Sequence, residues 1–178
     1  MAITRLNNNS ITSITALPSA VPTGITVADL WRYAQNLSFS ATTDTILTGT
    51  WEQPDTNNSA NLGTSMSVSS GVFTFPSTGI YSIIFNLETK GPSQGCTYNG
   101  GRIQTTTDNS TYAQATANYG NTYHPNGYDS VVSHILFDVT NTSTHKVKFS
   151  AFCEFSNNVY GNSNLNQTYA IFTRLGDT

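Results

Sequence analysis

From residue 37 onward this chain repeats one device: a short run in which apolar and polar residues alternate, then a gap rich in Asn, Gly, Ser and Pro. The runs include LSFSATT, TILTGTWE, SMSVSSGVFTF, IYSIIFNLE, GRIQTTT, YAQATANY, SVVSHILFDVT, HKVKFSAFCEF and YAIFTRL. Alternation puts every second side chain on one face of an extended strand, so each run can bury its apolar face only by joining a sheet. Many short strands at this spacing predict an all-β jelly-roll β-sandwich, two sheets closed around their inward residues. No long helical stretch supports an α/β alternative, and no blade- or solenoid-length repeat is present. The 178 residues suit a single domain of this kind, a size at which about 70% of the unfolded surface is buried.

The stretch GVFTFPSTGIYSIIFNLE, residues 71–88, carries the most local information. Phe73 and Phe75 share one strand face, and Tyr81, Ile83, Phe85 and Leu87 share a face of the next. Pro76 has no N–H to continue a ladder, and Gly79 accepts the positive φ of a reversal, so the break between the runs is a turn. The expectation is a β-hairpin with Tyr81 buried beside Phe73 and Phe85.

The beginning of the chain is different. Ile3, Leu6, Ile11, Ile14, Leu17 and Val21 lie scattered among Asn, Ser, Thr and Pro. That pattern is too irregular for a hairpin of its own and too apolar for a linker, so residues 1–25 are expected to dock on a partner. The following TVADLWRYAQN, residues 26–36, has two readings. Thr26 as N-cap with Asp29 three residues on would open a short helix, whereas Trp31 and Tyr33 alternate as in a strand. The expected organisation is an N-terminal arm over residues 1–36 and a jelly-roll domain over 37–178.

Charged residues make up 10% of the chain, against about 25% in an average globular protein. A net charge of −3 with only 7 Lys and Arg provides no basic stripe, which excludes nucleic acid as a partner. The polar, proline-broken N-terminus has no apolar run of signal-peptide or membrane-span length. The chain is therefore expected to be made in a cytoplasm and to stay off membranes. Cys96 and Cys153 lack zinc-ligand spacing; Cys153 alternates with Val147, Phe149, Ala151 and Phe155, which predicts two reduced, packed thiols.

Catalytic chemistry finds no constellation. His124, His134 and His145 stand isolated, and His134, alternating with Val132 and Leu136, is expected to be a packed or interface histidine. Asp129 and Asp138 bracket the same strand at a separation that does not suit a glycosidase pair. Fingerprints for nucleotide binding or a serine nucleophile are absent. No catalytic residue, cofactor or metal is expected.

Gly71, Phe73, Thr74, Pro76, Gly79 and Tyr81 together resemble the Gly-x-Phe-Thr-x-Pro-x-x-Gly-x-Tyr block of the complement globular-head and tumour-necrosis-factor jelly-roll family. Trp51 and the NSANLG segment precede the block as in that family, and YAIFTRLGDT is similar to its closing strand. A departure lies at DVTNTSTHKVKF, where the family commonly has a Gly-Asp pair, and no carboxylate cluster matches a family calcium site. The resemblance implies a homotrimer. A second resemblance is in MAITRLNNNSITSITALPSAVPTG, which is similar to the opening of virion proteins from tailed phages of cyanobacteria and other marine bacteria.

Together these imply a non-enzymatic virion protein, foremost a trimeric capsid decoration (cement) protein. Its arm, through Ile3, Leu6, Ile11, Ile14 and Leu17, would hold the major capsid protein or other virion proteins. The alternative is a host-recognition fibre head or knob. For that role NYGNTYHPNGY, residues 118–128, expected as a long surface loop, offers Tyr119, Tyr123, His124 and Tyr128 either to a host surface glycan or to a neighbouring subunit.

Overall fold

The computed structural model describes residues 24–178, and the described residues form strands and turns without a helix. In chain order the strands are β1 (Val27–Tyr33), β2 (Leu37–Phe39), β3 (Thr45–Ile46), β4 (Trp51–Glu52), β5 (Ser67–Ser69), β6 (Val72–Thr74) and β7 (Gly79–Lys90). They continue with β8 (Cys96–Thr106), β9 (Ala113–Thr122), β10 (Tyr128–Val139), β11 (Lys146–Cys153), β12 (Asn157–Val159) and β13 (Tyr169–Gly176). A seven-stranded sheet holds β4-β1-β13-β7-β10, with β12 and β2 continuing from the end of β7. A six-stranded sheet runs β5-β6-β11-β8-β9, with β3 on β11. All pairings between these strands are antiparallel, and the sheets face each other as the two layers of a jelly-roll sandwich.

The break at Pro76–Gly79 is not a hairpin. β6 pairs with β5 and β11 in one sheet, while β7 pairs with β10 and β13 in the other, so the turn carries the chain between layers. Gly79, at φ +139, permits the crossing, and a Cβ there would stand 2.5 Å from the Arg174 Nε and the Gly176 carbonyl. Alternation identified the inward faces correctly but could not say which sheet each face belongs to. Phe73, Phe75, Tyr81, Ile83, Phe85 and Leu87 are all buried. Phe73 lies at the centre of the core, 5.2 Å from Trp51, 5.5 Å from Phe149 and 5.1 Å from Phe172 between ring centroids. The Tyr81 ring meets Phe75 at 4.7 Å instead of Phe73 or Phe85, and Phe85 stacks on Phe149 at 4.6 Å.

Residues 26–36 contain a strand, not a helix, and the sandwich therefore begins before residue 37. β1 lies between β13 and β4, with Val27, Asp29 and Tyr33 buried. Asp29 does not cap anything: its carboxylate accepts hydrogen bonds from the Trp31 indole at 2.7 Å, the Gln53 amide at 2.7 Å and the Met66 N–H at 2.6 Å. A strand bonded to neighbours on both edges satisfies more backbone groups than an isolated short helix, so tertiary pairing overrides the local capping signal. The candidate anchors Ile3, Leu6, Ile11, Ile14 and Leu17 lie outside the described residues.

Candidate self-association face and ligand cleft

The four adjacent strands β1, β13, β7 and β10 turn a second face away from the core. Register sets its rows: Leu30, Ile171, Ile84 and His134 lie side by side, as do Ala28, Thr173, Ser82 and Leu136, and Arg32, Tyr169, Asn86 and Val132. Charged side chains on this face are Arg32, paired with Glu52 at the β1–β4 edge, and Asp138, Glu88 and Lys90 toward the ends of β10 and β7. The β10 residues are the most open, with Val132 at 51% and Leu136 at 64% exposure. Strands that are apolar on both faces are expected where both faces are covered. His134, expected to be packed or at an interface, is exposed on this protomer face, its Nε2 2.8 Å from the Ser82 hydroxyl.

The six-stranded sheet presents a different outer surface. Register aligns Phe152 of β11, Gly100 of β8 and Tyr119 of β9 in one row, with Arg102 in the next row between Ser150 and Ala117. A Cβ at position 100 would collide with the Phe152 ring and the Asn118 carbonyl. Glycine thus lets Phe152 lie across β8 and meet Tyr119 edge-to-face at 4.9 Å, with Tyr98 6.4 Å from each. The Arg102 guanidinium lies 4.0 Å above the Phe152 ring. The turn before β3 adds Thr42 and Asp44, held in place by a Thr42 N–H bond to the Cys153 carbonyl at 2.9 Å. Asp44 faces Arg102 at 3.4 Å and accepts the Gln104 amide at 2.6 Å. Together these residues enclose a cleft of about 430 Å³.

The Tyr-rich stretch 118–128 is not one long loop. Residues through Thr122 belong to β9 and Tyr128 opens β10, which leaves a short connection. Its four candidates separate accordingly. Tyr119 enters the cleft; Tyr123, 86% exposed, packs edge-on to His124 at 5.7 Å. Tyr128 meets Tyr160 at 5.2 Å, with the Lys90 ammonium 5.6 Å from its ring. The hydrogen bond with Tyr160 holds the Tyr128 phenol above its usual range. Reading from sequence missed Thr42, Asp44, Arg102 and Phe152, which come from three separate segments; the mid-strand pair Gly100–Gly101 was the available signal, since glycine inside a strand marks a close approach.

The remaining chemistry-bearing groups are dispersed. Asp129 and Asp138 sit nine positions apart on β10 and opposite Thr89 and Ile80 of β7, a separation of about 30 Å along an extended strand. They also point to opposite faces. Burial raises the Asp129 carboxyl above its usual range, against weaker opposing hydrogen bonds from Asn99 and Ser130. His145 is buried, with Nε2 3.2 Å from the Thr140 hydroxyl and Nδ1 3.1 Å from that of Thr144. Cys153 is fully buried, and burial pushes its thiol up to about 12. Cys96 is also buried and unbridged, 2.9 Å from the Thr122 hydroxyl. Among the described residues no three His, Cys, Asp or Glu side chains gather into a metal-holding group.

No protein-family profile matches this chain, and no curated protein matches it in sequence. Similarity appears at the level of three-dimensional structure. Eiger TNF from S. frugiperda superposes with a TM-score of 0.63 at 8% identity, over 87% of this chain and 95% of that one. Murine APRIL solved at pH 8.5 superposes with a TM-score of 0.58 at 11% identity, over 84% of this chain and 98% of that one. At such identities the likeness concerns architecture: this chain has a tumour-necrosis-factor-like jelly-roll fold.

Proposed function

We propose that this protein is a non-enzymatic structural protein that assembles as a homotrimer through the outer face of β1, β13, β7 and β10, and that residues 1–25 mount the trimer on a virion as a capsid decoration protein. The observation that carries the reading is the apolar centre of that outer face, Leu30, Ile171 and Ile84, extended by the exposed Val132 and Leu136, with the nearest charges held in the Arg32–Glu52 pair at the β1 edge. A surface of that composition is stabilised by exclusion of water, about 25 cal/mol per Å² buried. The motif around Gly71–Tyr81 and the tumour-necrosis-factor-like fold support a threefold arrangement. The phage-like N-terminal segment supports the virion setting; 25 extended residues reach about 80 Å, enough to cross neighbouring capsid subunits.

Light scattering tests the assembly. The wild type should have three times the 19.2 kDa protomer mass, and Leu136→Asp, which would desolvate a carboxylate at the interface, should shift it to monomer with its strand content intact. A wild-type monomer at micromolar concentration would refute the assembly. A chain starting near Ile25 should still fold and trimerise but lose binding to particles stripped of the native protein; retained binding would move attachment to the jelly roll. The second reading, a host-recognition fibre head or knob, is favoured by one observation, the aromatic cleft on the opposite sheet. Copy number in purified virions separates the two, high for decoration and low for a fibre.

A further inference from the structure

The geometry points to the cleft on the six-stranded sheet as a binding site for a neutral hexopyranose. Three features select this ligand class. Tyr119, 64% exposed, and Tyr98, 36% exposed, offer apolar ring faces, the surface against which the C–H face of a pyranose packs. Asp44 and Arg102 stand together on the adjoining wall, partly exposed at 30% and 23%, a paired acceptor and donor suited to vicinal hydroxyls. Their charges offset each other, so the site has no net attraction for a uronate, sialate or phosphate, and the Asp44 carboxylate opposes one.

The cleft is also built in advance. Arg102 is fixed by its stack on Phe152, while its ion pair is long at 3.4 Å and, among the described residues, its Nε has no acceptor. That Nε is buried, so the guanidinium would serve a ligand through its terminal N–H groups, on the side where Nη1 faces Asp44. A volume of about 430 Å³ falls within the range of small-ligand sites, about 300–1,000 Å³. The cleft opens on the sheet opposite the self-association face, so a trimer would present three copies outward, and weak single-site affinity would be multiplied against a polyvalent surface. This deepens the second reading above, on which it rests, and is independent of how the arm is mounted.

The test is titration of the full-length protein with galactose, glucose, mannose and glucuronate, read by saturation-transfer NMR and tyrosine fluorescence. At least one neutral sugar should bind saturably and more tightly than glucuronate. Tyr119→Ala should weaken it by about tenfold or more, the equivalent of about 1.4 kcal/mol, and Asp44→Asn should also weaken it, while Tyr123→Ala leaves it unchanged. Light scattering and melting on the same samples establish that the variants keep their assembly and fold. Absence of neutral-sugar binding, tighter binding of glucuronate, or indifference to Tyr119→Ala would each overturn the proposal. If Tyr123→Ala alone abolished binding, the cleft assignment would fall while a glycan-binding head would stand.

Discussion

Replacing Tyr81 tests the inter-sheet crossing at the level of single groups. The side chain is fully buried, its ring 4.7 Å from Phe75, and its hydroxyl donates to the Ser77 carbonyl at 3.1 Å across the turn that links the sheets. Tyr81→Phe keeps the ring and leaves that carbonyl without this donor, a loss of about 1 kcal/mol. Tyr81→Ala also empties the ring's volume in a core with little room to collapse, and such truncations cost about 3–5 kcal/mol. For a domain of this size each kcal/mol lowers Tm by about 2–4 °C, so the shifts should be about 2–4 °C for Phe and about 6–20 °C for Ala. Calorimetry or far-UV melting should be run at one protomer concentration, because self-association makes Tm concentration-dependent. An Ala variant melting within about 2 °C of wild type would refute the ring's place in the core. Equal shifts for Phe and Ala would mean that the turn hydrogen bond, not packing, holds the crossing.

Arg32 is 1% exposed and reaches Glu52 and Asp55, each at 2.8 Å. Because Asp55 is 82% exposed and Glu52 only 35%, Asp55→Asn should cost less than about 1 kcal/mol and Glu52→Gln more, by thermal melting, since only the second leaves the buried cation without its more shielded partner. Cys153, with its thiol pushed up to about 12 and no exposed surface, should resist iodoacetamide at pH 8 until the protein is unfolded, as mass spectrometry would show; alkylation of the native state would contradict the packing. For Asp129 the folded carboxyl is raised, chiefly by burial, so the folded state holds its proton to higher pH than the unfolded chain. Stability should therefore fall as pH rises from the ordinary carboxylate range through the raised folded value. Asp129→Asn should flatten that part of a pH–stability curve, and an unchanged slope would assign it to another group.

Much of the fold was written in period-two alternation. Inward placement of Phe73, Phe75, Tyr81, Ile83, Phe85, Leu87, Phe149 and Cys153 followed from it, because the pleat alone decides which side chains share a face. So did the turn at Pro76–Gly79, whose residues restrict φ and hydrogen bonding whatever surrounds them. Tertiary structure decided what alternation leaves open. The two strands flanking that turn entered different sheets, and β1 became a strand because β13 and β4 supply its partners, while Asp29, which local spacing set three residues after a Thr26 N-cap, receives hydrogen bonds from residues up to 37 positions away. The Tyr-rich stretch was divided between two strands and a short loop, which scattered its four aromatic candidates. The cleft shows the limit most clearly: Asp44, Arg102, Tyr119 and Phe152 meet only because three antiparallel registers and one turn bring distant segments into adjacent rows. Local sequence sets the face of each strand, but contact between faces depends on pairings whose partners lie tens of residues away, and no short-range period encodes them.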